Sequence, residues 1–167
     1  MRMLIFSDSH GVTGYMKRAI SLHGRRADAV IHLGDGAGDL MSVRAEYPDL
    51  AFYAVAGNCD PEIVRSMYDI DFTSDFSFDG VRVYACHGHT CGVKYGTEKL
   101  VFDAAKKNCR VALFGHTHEP YNKYERMGDS GIYVFNPGSV GMPYAGGISY
   151  GILEIKDGSI LLSHGTL

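Results

Sequence analysis

The stretch "ALFGHTHEPY", Ala112 to Tyr121, ends an apolar run with a glycine and then sets two histidines two positions apart, His116 and His118. The run has strand length and small polar residues follow at once, so it reads as a β-strand handing two imidazoles to the loop at its carboxyl end. Four earlier stretches repeat the arrangement: "RMLIFS" before Asp8, "AVIHLG" before Asp35, "AFYAVAG" before Asn58 and "VRVYAC" before His87. Between them the spacing predicts helices over Thr13 to His23, roughly Leu40 to Ala45, and Thr97 to Lys107. The last has a threonine positioned to cap it and Leu100, Val101, Ala104 and Ala105 at helical spacing. Alternating strands and helices argue for an α/β domain with parallel pairing in its first half.

The second half changes character. "FSFDGVRVYA" is a hairpin signal with Asp79-Gly80 at its turn, "YGILEIKDGSILLSHG" is another with Asp157-Gly158, and Tyr121 to Phe135 reads as a third around Gly128 to Gly131. So many β segments exceed what one small doubly wound sheet needs, which favours two sheets packed face to face with helices outside.

With 167 residues and no linker or repeat, the chain is expected to form a single domain over residues 1–167. A net charge of -3 gives no footprint for nucleic acid or an anionic membrane. The apolar run Met3 to Phe6 near the N-terminus is too short for a signal peptide or a spanning helix. Cys59, Cys86, Cys91 and Cys109 form no CxxC pair, so they read as reduced thiols of a cytoplasmic protein.

In open α/β sheets, ligands bind beyond the carboxyl ends of the strands. Here five strand ends deliver Asp8 and His10, then Asp35, Asn58, His87, and finally His116 and His118. Carboxylates and imidazoles with one amide and no thiolate suit Mn, Fe, Zn or Ni better than a closed Cys-rich zinc site. The i, i+2 spacing within Asp8/His10 and within His116/His118 would send both side chains to one side of an extended segment. The rival reading of "CHGHTC", Cys86 to Cys91, as a small zinc knot lacks the usual knuckle spacing. His23, His32 and His164 read as structural or exposed.

"DSHG", "GD" at Gly34-Asp35, "GNCD" at Gly57 to Asp60, "HGH" at His87 to His89, "GHTH" at Gly115 to His118 and "NPGS" at Asn136 to Ser139 together resemble the calcineurin-like metallophosphoesterases. The match is closest to their small single-domain phosphodiesterase branch, which also contains the retromer scaffold subunit. The resemblance implies a four-layer α/β/β/α sandwich of two mixed β-sheets flanked by helices, and a dinuclear metal-dependent phosphodiesterase working through a metal-bridging hydroxide. It puts Asp8, His10, Asp35 and His118 on one metal and Asp35, Asn58, His87 and His116 on the other, with Asp35 bridging. The ions would be two divalent transition metals, manganese first and iron, zinc or nickel as alternatives.

Asp35, Asn58 and His89 are the expected catalytic residues, with His89, Asp60 and Thr117 orienting ligands by hydrogen bonds. The substrate would be a small or accessible phosphodiester, and homo-oligomerisation is compatible with the chain. Two departures stand out. Many relatives have a histidine directly after the asparagine, thought to protonate the leaving group, where this chain has Cys59, and many have a basic residue after the proline that follows "NPGS", where this chain has Tyr144. A phosphomonoesterase with the same site and a retromer-like binding scaffold are the alternatives.

Overall fold

The computed structural model describes residues 1–127, 130–144 and 146–167, and of Arg25 the backbone alone. In chain order the elements are β1 (Arg2–Phe6), α1 (Gly14–His23), β2 (Ala29–His32), α2 (Ala37–Arg44), β3 (Ala51–Ala54), α3 (Glu62–Tyr68), β4 (Thr73–Phe78), β5 (Val81–Cys86), α4 (Glu98–Lys106), β6 (Val111–Leu113), β7 (Pro120–Met127), β8 (Ser130–Pro137), β9 (Ser149–Lys156) and β10 (Ser159–Thr166). One sheet runs β10-β9-β1-β2-β3 and the other β4-β5-β6-β8-β7. The parallel pairs are β1/β2, β2/β3, β5/β6 and β6/β8. All three expected hairpins form.

The two Asp-Gly turns form because both of their central residues take positive φ, 48° and 78° at Asp79-Gly80 and 50° and 74° at Asp157-Gly158, which matches the twist of the flanking strands. The turn of the third hairpin, placed at Gly128 to Gly131, lies partly outside the described residues. Helix α2 starts at Ala37, ahead of the expected Leu40, because Asp60 accepts from the N–H groups of Gly36 and Ala37 and supplies a cap from 23 or more residues away. Thr97 does stand at the N-cap of α4, yet its side chain makes no capping hydrogen bond. Sequence periodicity does not reveal α3, because that helix buries none of its residues.

The core lies between the sheets. Met3, Ile5, Ile31 and Leu153 from one sheet meet Val83, Val111, Leu113 and Phe135 from the other. On the outer faces, Met16, Ile20, Leu40 and Val43 cover Leu4, Phe6 and Val30, while Leu100, Val101 and Ala104 cover Ala112, Ile132 and Val134. Sheets covered on both sides explain why β1 and β6 read as continuous apolar runs. A close inter-sheet approach sets Phe135, fully buried, against Gly151 in β9: a Cβ there would stand 2.4 Å from the ring. Among the described residues no helix is long and apolar enough to cross a membrane.

This notch predicts an ordering of stabilities in urea denaturation. Phe135→Ala is expected to cost about 3–5 kcal/mol through the cavity it leaves, and Gly151→Ala about 1–3 kcal/mol through overpacking. Leu161→Ala, at a site 59% exposed, should stay within about 0.5 kcal/mol. A Gly151→Ala variant as stable as the parent would contradict the inter-sheet contact.

Candidate metal centre

The five strand ends meet at one rim, although β1, β2 and β3 belong to one sheet and β5 and β6 to the other. One ligand atom from each of Asp8, His10 and His118 lies within 4.8 Å of the other two, and the same holds for Asp8, Asp35 and His87. His118 Nε2 stands 3.2 Å from Asp8 Oδ1 and 3.4 Å from His10 Nε2, while His87 Nε2 stands 3.4 Å from Asp35 Oδ2. The His116 ring lies 5.0 Å from that of His87. Asn58 lines the same cleft as His10, Asp35, His116 and His118, with its side-chain amide on Cys59 Sγ at 3.3 Å. The two imidazoles of "GHTH" thus face different parts of the cluster, His118 toward Asp8 and His10, His116 toward His87.

The i, i+2 pairs do not converge through extended backbone, as the spacing alone suggests. Asp8, His10, Asp35, His116 and His118 all adopt left-handed backbone, with φ of 57°, 45°, 55°, 68° and 57°. Non-glycine residues rarely do so, and such strain collects at functional sites where the surroundings over-determine it. Those surroundings are visible. Asp60 accepts from four backbone N–H groups, those of Asp35, Gly36, Ala37 and Gly57, at 2.8–2.9 Å. It therefore orients the ligand loops through their backbones, not through ligand side chains. Gly57 is required beside Asp35, since a Cβ would lie 2.0 Å from Asp35 Oδ1.

"NPGS" is more than a rigid turn. Asn136 donates to the Gly115 carbonyl and to Thr117 Oγ1, and Ser139 Oγ donates to the Asp8 carbonyl at 2.8 Å while accepting from the Met142 N–H. Thr117 serves as an acceptor for Asn136 and touches no ligand side chain through a hydrogen bond. His32, read as structural, is a satisfied buried histidine. It donates from Nε2 to Ser9 Oγ, accepts from the Gly34 N–H, and Ser9 passes the chain on to Asp39 at 2.6 Å. Asn136 and Ser139 stand in the sequence only as part of "NPGS"; what they hold, and the role of Asp39, escape sequence reasoning because their partners lie far away in the chain.

Two imidazoles have their tautomers set by carbonyls: His87 Nδ1 donates to Leu33 at 2.7 Å and His118 Nδ1 to Met142 at 2.5 Å. Both turn Nε2 toward the carboxylates. Asp8 Oδ2 accepts from Ser7 Oγ and the His116 N–H, but buried Asp8 Oδ1 and His87 Nε2 have no hydrogen-bond partner. Unpartnered buried acceptors are expensive, and a carboxylate oxygen facing bare imidazole nitrogens is the donor set that a borderline divalent cation takes. The residues fit such a cation.

Burial alone would raise both carboxyl groups, yet the His118 and His87 rings and the Ser7 hydroxyl hold Asp8 below its ordinary value. His87 and the Cys59 N–H do the same for Asp35. Burial opposes protonation of His87, but the Asp35 and Asp8 carboxylates outweigh it and raise its pKa; contact with Asp8 raises that of His118. Burial, then the charges of His87 and Lys94, push His116 down to about 4, which keeps it neutral and ready to ligate. Cys59 also enters the cluster, with His10 and Asp35. Burial and its contact with Asp35 push the thiol up to about 11, so it stays protonated and competes poorly as a ligand. His89 packs edge-on against Phe72 at 5.1 Å and beside His87 at 5.4 Å, its pKa lowered by burial and by His87.

A family model, the calcineurin-like phosphoesterase superfamily domain, matches residues 1–158. The phosphodiesterase YfcE of Escherichia coli (strain K12) is 30% identical over 172 residues, covering 92% of this chain and 88% of the relative. Among solved structures, a conserved protein of Streptococcus pneumoniae TIGR4, described as a predicted phosphoesterase, aligns with TM-score 0.77 at 24% identity over 99% of this chain and 88% of that one. A Vps29 point mutant from Entamoeba histolytica aligns with TM-score 0.72 at 21% identity over 100% and 99% of the two chains.

Two outcomes follow. Asp60→Ala should lower the affinity for Mn2+ by about 10- to 100-fold while the far-ultraviolet spectrum is kept. Titration calorimetry checks this, and unchanged affinity would remove Asp60 from the support of the site. Because the carboxylates raise the pKa of His87 and His118 in the metal-free protein, both rings hold a proton to higher pH, and a cation must displace it. Mn2+ affinity should therefore fall as pH is lowered from about 8 to about 6, with proton release on binding. Calorimetry in buffers of different ionisation enthalpy reads that release directly.

Proposed function

The chain belongs to the calcineurin-like phosphoesterase superfamily, and from that premise we propose that it hydrolyses phosphodiesters at a centre of two divalent transition-metal ions, manganese foremost. The observation that carries the proposal is the pair of buried, unpartnered atoms, Asp8 Oδ1 and His87 Nε2, at the meeting point of two carboxylates and three imidazoles, His10, His87 and His118. In this reading Asp8, His10, Asp35 and His118 hold one ion and Asp35, Asn58, His87 and His116 the other, with Asp35 shared. Bound divalent ions supply Lewis acidity, lowering the pKa of water and neutralising charge that develops on a phosphoryl group.

The chain's own residues do the rest. The Leu33 and Met142 carbonyls keep the proton of His87 and His118 on Nδ1, so that Nε2 presents a lone pair. Asp60 holds the Asp35 and Gly57 loops in register so that Asp35 and Asn58 line one cleft together. His89, neutral near pH 7, can offer a hydrogen bond to a phosphoryl oxygen without adding a charge. Diesters are favoured over monoesters for two reasons. Among the residues lining the cleft, Lys94 is the sole lysine or arginine, which matches a monoanion better than a dianion. Cys59 stands where an imidazole would protonate a departing alkoxide, and a thiol held protonated near neutral pH is a weak acid for that task.

The likeness to Vps29 supports a second reading, a binding scaffold with little turnover, through shared fold alone. Chelated protein should be inactive on bis(p-nitrophenyl) phosphate, and Mn2+ should restore activity better than Mg2+ because imidazoles bind borderline ions more strongly. The diester should outrun p-nitrophenyl phosphate, and Asp35→Asn should lose more activity than His89→Asn, for which the loss is about 10- to 100-fold. Full turnover by metal-free protein would overturn the metal mechanism. Bound manganese with no turnover of either ester would favour the scaffold.

A further inference from the structure

A second cleft, of about 610 Å³, opens beside the 480 Å³ cleft of the metal centre, and Lys94 and Tyr144 line both. Its lining mixes Val93, Phe114, Tyr121 and Tyr144 with charged and polar side chains from residues 94–98 and 117–125. Tyr144 lies parallel on the His118 ring, centroids 4.9 Å apart at 17°, and is otherwise 69% exposed, so one face is anchored at the metal centre and the other is open. Tyr121 is held in place, with the Phe114 ring meeting it edge-on at 5.6 Å and the Lys123 ammonium 5.1 Å from its centroid. The volume is that of a small-molecule site, and its aromatic residues are accompanied by five charged side chains.

We infer that this cleft seats the organic ester group of the phosphodiester, and that the group is flat, aromatic and uncharged. The inference rests on the phosphodiesterase reading of the adjoining centre. A phosphoryl group held beside His116 and His118 has its ester substituent directed past Lys94 and Tyr144, because those two residues form the passage between the clefts. The open Tyr144 face and the pre-set Tyr121 ring favour a planar partner, since offset or edge-on aromatic pairs add to what area burial contributes. Charge restricts the choice further. Glu98, Glu119 and Glu125 face the cleft against Lys94 and Lys123, so a second phosphate on the substituent meets net repulsion. Tyr144 thus takes over, as a selector of the ester group, the place where relatives carry a basic residue.

The test separates the organic group from the chemistry. Methyl, phenyl and thymidine-5′ esters of p-nitrophenyl phosphate share one leaving group, so differences in kcat/KM report the retained substituent. The phenyl or thymidine ester should exceed the methyl ester by roughly tenfold in kcat/KM, mainly through KM. Preference for thymidine identifies a nucleobase and preference for phenyl a simple aryl alcohol. In Tyr121→Leu and Tyr144→Ala the aromatic-to-methyl ratio should fall toward one.

Binding is read independently by NMR of zinc-loaded, labelled protein titrated with diphenylphosphinate or dimethylphosphinate, neither of which can be hydrolysed. Amide shifts at Val93 to Gly96, Tyr121 and Tyr144 are expected with the diphenyl compound and not with the dimethyl one. Shifts confined to the metal loops with both compounds, or an aromatic-to-methyl ratio near one in the parent protein, would overturn the inference. If the cleft shifts appear and no diester is turned over, the hydrolytic reading fails and the cleft assignment stands.

Discussion

Two carboxylates, Asp8 and Asp35, are kept inside this protein among imidazoles, with Asp8 Oδ1 and His87 Nε2 left without a hydrogen-bond partner, and most local features of the fold serve that arrangement. A buried ionised group without full compensation opposes folding. Here its position is enforced from several sides: Ser7 and the His116 N–H on Asp8 Oδ2, the Cys59 N–H on Asp35 Oδ1, and Ser139 on the Asp8 carbonyl. Five of the residues around the cluster accept left-handed backbone, a cost of order 1–3 kcal/mol each. Such a cost persists only where the surrounding packing leaves no cheaper conformation.

That packing comes from two sheets whose inner faces interdigitate and whose strand ends therefore share a rim. Phe135 filling the notch at Gly151 ties β8 to β9, and β9 lies beside β1, which carries Asp8. The loops of the rim are then tied to one another and not only to their own strands. Asp60 grips the loop after β2 from the loop after β3, while Asn136 at the end of β8 and Ser139 just beyond it grip those after β6 and β1. A rim loop moving on its own must break a hydrogen bond to a different loop, which is a form of pre-organisation.

The electrostatic character of the centre is set by what surrounds it. Carboxylates raise the pKa of His87 and His118, while burial and then the charges of His87 and Lys94 lower that of His116, so the pKa values of neighbouring imidazoles are displaced in opposite directions. The Cys59 thiol stays protonated, and the cleft of the centre is lined by a single lysine and no arginine. It is rich in aromatic surface at its exit, where Tyr144 lies on His118.

The amino-acid sequence by itself determined the strands, the two Asp-Gly turns and the kind of donor at each strand end, because these depend on local period, on φ > 0 at turn residues and on side-chain chemistry. It also carried the excess of β segments that calls for two sheets. Tertiary structure alone decided how the donors converge. Asp8/His10 and His116/His118 come together through left-handed backbone, not through the alternation of an extended chain. The start of α2 depends on Asp60, the tautomers of His87 and His118 on the Leu33 and Met142 carbonyls, and the second cleft on the meeting of residues 93–98 with β7 and Tyr144. Each is a contact between segments distant in the chain. No local preference encodes such a pairing, because it exists only once β9 has docked beside β1 and the second sheet has closed over the first.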